Sequence, residues 1–384
     1  MRKIQVVTTS RADYGIYRSI LQHLEASSEF ELELIVGGTH LLAQFGHTID
    51  AINADGYKIV AEINALMAGD NPQSISQSVS VGIASFAQHF HHNPPDLLIV
   101  LGDRYEMYSA VVAALPFRIP VAHIHGGEVT FGAIDDALRH SMTKLSHLHF
   151  VSTEAYAQRV IQLGENPDRV VVCGAPALDN IHTIERTSKA ELESQFPISL
   201  EGEPLLVTFH PVTLEIENAL HQVTELLTAL ETVGNTVIFT LPNADTANQV
   251  IRRAIVDYVD NHDKTYAVES FGIKGYFSAM THASAMVGNS SSGILEAGAF
   301  GLPVVNIGNR QEGRLQGANV INSDYDSQSI ISAIQTATSA EFKAGLSNKS
   351  HPYQRNELAG DIIVKTLEAI DDFAPLTIKR FYDL

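Results

Sequence analysis

The sequence predicts an α/β protein built from two doubly wound domains, and three observations support this prediction. Short apolar runs alternate with amphipathic helical stretches through the first half of the chain, which is typical of parallel strands covered by helices on both faces. The same alternation starts again at Leu205. With 384 residues, 45% of them hydrophobic, the chain is long enough for two substantial cores.

The strand candidates fall on either side of a linker region at residues 178–203. Those before it are residues 4–9, 32–37, 58–63, 97–101, 121–125, 149–152 and 170–173. Those after it are residues 205–209, 237–241, 266–269, 286–287, 303–307 and 320–321. We therefore expect domains at residues 1–180 and 200–356, and a C-terminal helix and tail at 357–384 that packs back towards the first domain. Ligands of such sheets bind beyond the carboxyl ends of strands, so the domains are expected to face a central cleft.

The net charge and the cysteine content limit the classes of ligand and partner that this protein can have. The net charge of −19 argues against nucleic acid or an anionic membrane as a partner, so an anionic ligand would need a local group of arginines and helix ends. The single cysteine, Cys173, lies in an apolar run and is expected to be a buried structural thiol. The N-terminus enters a strand at once, without an apolar signal region, and we expect a cytoplasmic protein.

The segment from Gly288 to Glu296 is the most informative stretch of the chain. Its letters, GNSSSGILE, predict a strand end, a turn of small residues and the start of a helix that continues to Gly301. Unpaired N–H groups at a helix start attract anions, and the hydroxyls of Ser290, Ser291 and Ser292 add donors for a diphosphate. Glu296 would lie about one turn into the helix, near a ribose. The alternative is a serine N-cap on an ordinary helix.

Polar residues also follow the first predicted strand. The segment from Ser10 to Gly15 stands where a dinucleotide-binding fold would carry G-x-G-x-x-G, and that fingerprint is absent, which argues against a tightly held NAD. Arg11 could instead clamp a phosphate with its fork of N–H donors. The alternative is a surface pair of Arg11 with Asp13, in which Asp13 caps the helix.

Three further loops of the first half are expected to converge on one site. Asp103 follows the fourth strand, where a carboxylate can act as a general base or bind a sugar, or can simply cap the next helix. His123 and His125 end the fifth strand, and an H-x-H pair is compatible either with a metal site or with a metal-free polar cleft. Two acidic residues then lie within about one helical turn of a balancing arginine. These residues are Asp135, Asp136 and Arg139.

The second half adds polar groups at its own strand ends. His210 could place an imidazole on a phosphate, Asn243 could bind a base or ribose, and Arg310 follows another strand. Each is compatible with an ordinary turn, but together they favour a binding site.

Taken in order, these motifs resemble those of the UDP-N-acetylglucosamine 2-epimerases, most closely the hydrolysing branch used in bacterial sialic acid and legionaminic acid synthesis. The resemblance spans essentially the whole chain. It is carried by residues 10–15, 102–106, 123–128, 135–140, 210–211, 288–296 and 309–311, and by the ending at 380–383.

The resemblance implies two Rossmann-like domains of the GT-B type, with the sugar and the catalytic residues on the N-terminal side and UDP held mainly by the C-terminal domain. The implied catalytic set is Asp103, His125, Glu128, Asp135, Asp136 and Arg139. The implied substrate-binding set is Arg11, Asp13, Tyr14, His210, Asn243, Ser290, Ser291, Ser292, Glu296 and Arg310. Some relatives carry an acidic residue at the position of His125, so its role in proton transfer would pass here to His125 itself or to Glu128.

The activity that the resemblance implies is conversion of UDP-N-acetylglucosamine and water to N-acetylmannosamine and UDP, with neither NAD nor a metal. Alternatives are the same reaction on UDP-2,4-diacetamido-2,4,6-trideoxyglucose, a non-hydrolysing 2-epimerase, a GT-B glycosyltransferase and a nucleotide-sugar sensor. The carboxylates and histidines at the strand ends argue against a mere binder. Relatives are commonly homodimers or homotetramers, and we expect the same here, with no nucleic acid or membrane partner.

Overall fold

The computed structural model describes residues 1–69, 71–131, 134–242, 249–346 and 351–384. The chain divides into two compact units. The first unit comprises Met1–Val129, Ile134–Asn180 and Arg355–Leu384, and the second comprises Thr130–Ala133 and Ile181–Gln354. Each unit is built on a single parallel sheet, so the predicted α/β class is confirmed.

The first unit contains a seven-stranded parallel sheet with the order β3-β2-β1-β4-β5-β6-β7. Its strands are β1 (Arg2–Thr8), β2 (Phe30–Gly37), β3 (Ile59–Ile63), β4 (Leu97–Leu101), β5 (Val121–Ile124), β6 (Leu148–Val151) and β7 (Val170–Val172). Its helices between strands are α1 (Arg11–Ala26), α2 (Ile49–Ala54), α3 (Pro72–His92), α4 (Tyr105–Ala114), α5 (Ile134–Leu145) and α6 (Glu154–Gln162). The order reverses between β1 and β4, so a switch point lies at the ends of these two strands.

Local sequence explains where these helices begin. Ser10 and Asp13 form a capping box at the start of α1, because each side chain accepts a hydrogen bond from the other residue's backbone N–H. Asn71 caps α3, whose first residue is Pro72, and Thr153 caps α6. The five residues of β4 are all buried, as expected for a central parallel strand with helices on both faces.

The second unit contains a six-stranded parallel sheet with the order β10-β9-β8-β11-β12-β13. After α7 (Asp179–Thr183) and α8 (Lys189–Gln195), its strands are β8 (Leu205–Thr208), β9 (Val237–Thr240), β10 (Thr265–Val268), β11 (Ala285–Gly288), β12 (Val304–Ile307) and β13 (Val320–Ser323). Its other helices are α9 (Ala219–Val233), α10 (Gln249–Asn261), α11 (Gly272–His282), α12 (Ser291–Leu295), α13 (Ser327–Thr338) and α14 (Ala340–Leu346). Here the order reverses between β8 and β11.

The last helix, α15 (Ala359–Glu368), belongs to the first unit although it follows the whole second unit in sequence. The Asp179 carboxylate accepts hydrogen bonds from the backbone N–H groups of Ala359 and Gly360, at 2.9 and 2.8 Å, and so caps this helix. Further along the tail, Lys379 pairs with the buried Glu165 at 2.7 Å. The C-terminal segment is therefore tied to the first unit by buried polar contacts.

Each predicted strand is present, with bounds that differ from the prediction by no more than two residues at either end. One helix departs from expectation. The helix after Gly288 was expected to continue to Gly301, but α12 ends at Leu295 and a 3₁₀ turn at Ala297–Phe300 follows it. In the described part of the chain, no helix has both the length and the apolar character that crossing a membrane requires.

Candidate functional site

Asp103 follows β4, and its carboxylate is held by an arginine from a helix further along the chain. Arg139, on α5 and only 2% exposed, donates a hydrogen bond from Nη2 to the Asp103 carboxylate. Arg139 also lies 3.7 Å from the Asp136 carboxylate, and Asp136 in turn lies 3.5 Å from His140 Nε2. The alternative of Asp103 as a helix cap is wrong, because the N-cap of α4 is Arg104. Asp103 is thus a partly exposed carboxylate whose position is fixed by a buried guanidinium.

His125 and Glu128 form a second polar pair just after β5. His125 Nδ1 lies 2.5 Å from Glu128 Oε1, and both side chains are less than a tenth exposed. Ser152, which follows β6, donates a hydrogen bond to the same Glu128 oxygen at 3.1 Å. An imidazole and a carboxylate in hydrogen-bonding contact form an arrangement that is suited to acid or base chemistry.

His123 does not join His125 in a ligand pair. Its Nε2 lies 2.8 Å from the carbonyl oxygen of Gly102, and its Nδ1 lies 3.2 Å from Thr143 Oγ1 on α5. Burial lowers the pKa of His123 to about 3, so the ring is neutral at ordinary pH and serves as a buried hydrogen-bonding group. Within the ranges that the structure describes, no group of three or more His, Cys, Asp or Glu residues could hold a metal ion.

The candidate residues at the start of α1 have different surroundings. Arg11 is exposed in the first turn of the helix. Asp13 is 4% exposed, and its carboxylate accepts hydrogen bonds from the Thr8 hydroxyl and from the backbone N–H groups of Thr9 and Ser10. Burial is the largest single influence and raises the pKa of Asp13, but the hydrogen bond with His40 and these contacts together outweigh it and lower the pKa. Asp13 therefore holds the turn after β1, and it stands at position N3, not at the N-cap.

Two other candidates of the first unit lie near these groups in sequence. The Tyr14 hydroxyl donates a hydrogen bond to Asp55 at 2.6 Å, and burial, with this contact, raises the pKa of Tyr14 well above its ordinary range. Asp135 is half-buried in the first turn of α5, one residue before Asp136.

In the second unit, buried Asn289 brings two candidate residues together. Its side-chain oxygen accepts from the backbone N–H of His210 at 2.7 Å, and its side-chain nitrogen donates to the His210 carbonyl at 2.8 Å. Arg310 Nη1 donates to the Asn289 carbonyl at 2.9 Å. Burial, assisted by the Arg310 charge, lowers the pKa of His210 to about 4. The result is a neutral imidazole and a guanidinium at the carboxyl ends of β8 and β12, a combination that suits a phosphate.

The serines lie at the start of α12, as expected, but that helix has only five residues. Ser290 is its N-cap and accepts from the Ser292 N–H at 3.3 Å, while Ser291 is its first residue. The Tyr276 hydroxyl interacts with Ser292, Thr208 and Ser290, yet burial and the Glu296 charge raise its pKa well above the ordinary range. Burial also raises the pKa of Glu296, with a hydrogen bond to Ser292 opposing it. Hydroxyl groups therefore supply much of the polarity here.

The sequence analysis missed three residues that contact the candidate site residues. Tyr276 lies within α11 without any motif, Ser152 follows β6 as a lone serine, and Asn289 was treated as one letter of a turn. Only for Asn289 was there a signal, since it directly follows the strand at the switch point of its sheet. The predicted UDP contact Asn243 lies outside the described residues.

The two parallel sheets, each with polar residues at the carboxyl ends of its strands, define a class of protein: a two-domain Rossmann-like α/β protein of the GT-B type. The crystal structure of UDP-GlcNAc 2-epimerase from Neisseria meningitidis bound to UDP-GlcNAc has the same fold, with a TM-score of 0.82 at 19% identity over 96% of this chain and 100% of that one. The family model for UDP-N-acetylglucosamine 2-epimerase matches residues 22–368. The chain therefore belongs to the UDP-N-acetylglucosamine 2-epimerase family.

Two relatives are similar over most of their length. A Campylobacter jejuni protein named GDP/UDP-N,N'-diacetylbacillosamine 2-epimerase (hydrolyzing) is 39% identical over 344 residues, which is 89% of each chain. The polysialic acid biosynthesis protein P7 of Escherichia coli is 36% identical over 389 residues, covering 100% of this chain and 98% of that one.

Proposed function

We propose that the chain is a hydrolysing 2-epimerase that converts UDP-N-acetylglucosamine and water to N-acetylmannosamine and UDP. The observation that carries the proposal is the presence in one unit of two separate proton-handling clusters, Asp103 with Arg139 and His125 with Glu128. A 2-epimerase that passes through an alkene needs one group to remove the C2 proton and another to return a proton from the opposite face. A binding protein needs neither.

The order of steps follows from the chemistry of the sugar. No carbonyl is conjugated to C2, so the C2 proton is not acidic in the ground state. The C1–O bond must therefore break first, its electron pair leaving with UDP, and the positive charge that develops at C1 acidifies the C2–H bond. Loss of that proton by anti-elimination forms the C1–C2 double bond of 2-acetamidoglucal. Water then adds its oxygen to C1 while a proton reaches C2, which gives N-acetylmannosamine.

We assign the leaving diphosphate to the second unit. Arg310 supplies positive charge for it, and the neutral His210 and the serine hydroxyls supply hydrogen-bond donors. Arg11, which belongs to the first unit, stays a phosphate ligand predicted from the sequence alone. Glu296 is a suitable acceptor for ribose hydroxyls. The first unit supplies proton transfer, with Asp103 or His125 as the base and Glu128, Asp135 or Asp136 as the group that reprotonates C2. In this scheme neither NAD nor a metal takes part, and the enzyme acts as a homodimer or homotetramer in the cytoplasm.

A second substrate is favoured by a specific observation. The Campylobacter relative is named for a 2,4-diacetamido sugar, whereas the Escherichia coli relative is named for polysialic acid synthesis. UDP-2,4-diacetamido-2,4,6-trideoxyglucose is therefore the alternative substrate, and it would pass through the same elimination and hydration.

Proton NMR in D₂O, with EDTA and without NAD, tests the proposal. We expect UDP and N-acetylmannosamine carrying deuterium at C2 when UDP-N-acetylglucosamine is supplied. Accumulation of UDP-N-acetylmannosamine would mean the non-hydrolysing reaction. Turnover of only the diacetamido sugar would transfer the proposal to that substrate. Release of UDP only when an acceptor is added would indicate a glycosyltransferase.

A further inference from the structure

Gly102 lies between β4 and Asp103, and both of its backbone polar groups are bound by β5. Its φ of +75° is in the left-handed region that favours glycine. Its N–H donates to the Ile124 carbonyl oxygen at 2.9 Å, and its own carbonyl oxygen lies 2.8 Å from Nε2 of His123. The segment that leads into Asp103 is therefore held by two consecutive residues of β5.

The contact with Gly102 determines which ring nitrogen of His123 carries the proton. A carbonyl oxygen can only accept a hydrogen bond, so Nε2 must be the donor. The ring is fully buried, and burial lowers its pKa to about 3, so it is neutral at ordinary pH and Nδ1 has no proton. Nδ1 must then accept, and the Thr143 hydroxyl, 3.2 Å away, is its donor. Each nitrogen of the imidazole thus has one partner that fits its role.

Thr143 connects this histidine to the helix that holds the Asp103 carboxylate. Arg139 and Thr143 lie about one turn apart on α5, so their side chains project from the same face of the helix. Arg139 donates to the Asp103 carboxylate, and both Arg139 and Thr143 are buried. The contacts therefore form a closed path that returns to its starting residue. In order, its members are Asp103, Gly102, His123, Thr143 and Arg139.

We infer that His123 is a positioning residue for removal of the C2 proton, because it sets the direction of the Asp103 side chain. The Gly102 carbonyl and the Asp103 Cα belong to one planar peptide unit, so a bond to the carbonyl fixes how the chain enters Asp103. This role rests on the proposed 2-epimerase activity with Asp103 as the base. His123 has no exposed surface, so it acts through Asp103 and not by touching the sugar.

Another buried histidine shows what a purely structural role looks like in the same sheet. His147 Nδ1 accepts from the Val121 N–H at 3.1 Å, at the amino end of β5, whereas Gly102 is bound at the carboxyl end of that strand. His147→Asn is therefore a matched control for the loss of a buried imidazole. It should change kcat by less than about 3-fold.

Two substitutions of His123 separate its two hydrogen bonds. In His123→Gln the amide nitrogen can take the place of Nε2 and still donate to Gly102, whereas in His123→Asn the amide reaches only as far as Nδ1. We expect kcat on UDP-N-acetylglucosamine to fall by about 10- to 100-fold in His123→Asn and by less than about 3-fold in His123→Gln. UDP affinity, measured by titration calorimetry, should be unchanged in both variants. Equal losses of kcat would overturn the inference.

A double-mutant cycle with Asp103→Asn distinguishes positioning from a role in stability alone. If His123 acts through the Asp103 carboxylate, adding His123→Asn to Asp103→Asn should lower kcat by less than about 3-fold further, because the base is already absent. A histidine that only stabilised the fold would lower kcat by the same factor with or without the carboxylate. That result would remove His123 from the path of contacts that aims the base.

Thr143 provides a second pair of variants, which tests the same role even where His123→Asn does not fold. Thr143→Val keeps the shape of the side chain but removes the donor to His123 Nδ1, whereas Thr143→Ser keeps the hydroxyl. We expect kcat to fall by about 3- to 10-fold in Thr143→Val and to stay within about 2-fold of the parent in Thr143→Ser. The same kcat in both variants would contradict the role of His123.

The activity of the parent protein separates this role from the proposed function. If the parent turns over neither UDP-N-acetylglucosamine nor the diacetamido sugar, the proposed function is overturned. Nitrogen-15 NMR of the histidine rings, assigned by comparison with His123→Gln, tests the hydrogen bonds without substrate. We expect a protonated Nε2 and an unprotonated Nδ1 in His123 at neutral pH. A proton on Nδ1 instead, in an active enzyme, would overturn the role of His123 and leave the proposed function in place.

Discussion

Asp103 and His125 follow neighbouring strands of the same sheet, β4 and β5, yet they have different partners. Asp103 pairs with the guanidinium of Arg139, which comes from α5. His125 pairs with a carboxylate three residues away, and Ser152 completes that cluster. Two titratable groups in contrasting surroundings are what a reaction with one proton removal and one proton delivery requires.

If Asp103 is the base, Asp103→Asn should lower kcat by about 10²- to 10⁴-fold, because the amide retains a hydrogen bond to Arg139 but cannot accept the C2 proton. Affinity for UDP, measured by titration calorimetry, should stay close to that of the unaltered protein. Asp96→Asn is the control, since Asp96 is an exposed aspartate at the amino end of the same strand. Full activity in Asp103→Asn would remove this carboxylate from the mechanism.

Glu128→Gln should uncouple elimination from hydration. If the His125–Glu128 pair delivers the proton to C2, the variant should release 2-acetamidoglucal together with UDP, and NMR would detect the vinyl proton of that product. Ser152→Ala should have a smaller effect, because it removes one hydrogen bond but leaves the carboxylate in place. The same product ratio in Glu128→Gln as in the parent enzyme would assign proton delivery to Asp135 or Asp136.

At the scale of elements, local patterns predicted the strands well because the strands are short, apolar and buried. Residues 97–101 were predicted with both bounds correct, since β4 is an uninterrupted run buried on both faces. The early end of α12 could not be predicted in this way. A Cβ on Gly298 would come within 2.0 Å of the His351 ring, so packing against a residue 53 positions away shapes this turn.

The candidate sites show the same limit. The sequence placed Asp103 and Arg139 in the same list of residues, but nothing in the spacing of 36 residues predicts a hydrogen bond between them. Tyr276 could not be found at all, because its hydroxyl meets Ser290 and Ser292 only through the pairing of β8 with β11 and the packing of α11. Strand ends can be read from a sequence, whereas partners across a sheet edge depend on tertiary structure.

Gly288→Ala tests the turn that presents the serines. Gly288 has a φ of +134°, and a Cβ there would come within 2.0 Å of the Thr208 carbonyl oxygen, so the backbone would have to move. We expect the free energy of unfolding to fall by about 2 kcal/mol or more, and UDP affinity to fall with it. Gly345→Ala in α14 is the control, since a Cβ there meets nothing within 4 Å. A fully stable Gly288→Ala protein would contradict this account.

At the scale of the whole molecule, buried neutral histidines should make stability depend on pH. Burial lowers the pKa of His147 to about 4 and that of His123 to about 3, below the ordinary value of 6.5. Between these values and 6.5 the unfolded chain binds more protons than the folded one, so stability rises with pH and is lost as pH falls through this window. The urea midpoint should therefore be lower at about pH 5 than at about pH 7.

His147→Asn isolates one contribution. His147 Nδ1 accepts a hydrogen bond from the Val121 N–H at 3.1 Å, and an asparagine oxygen can replace that acceptor without titrating. The change in urea midpoint between the two pH values should be smaller in this variant. An unaltered pH dependence would show that His147 does not contribute to it.

The return of the chain to its first unit has a consequence for biosynthesis. The sheet of the first unit is synthesised early. The hydrogen bonds of Asp179 to the backbone of Ala359 and Gly360, and the ion pair of Glu165 with Lys379, can form only after the C-terminal segment has been made. The second unit, in contrast, ends at Gln354. Because domains generally fold as units during synthesis, the half of the protein that is made second is complete first, while the half that is made first still lacks its last helix.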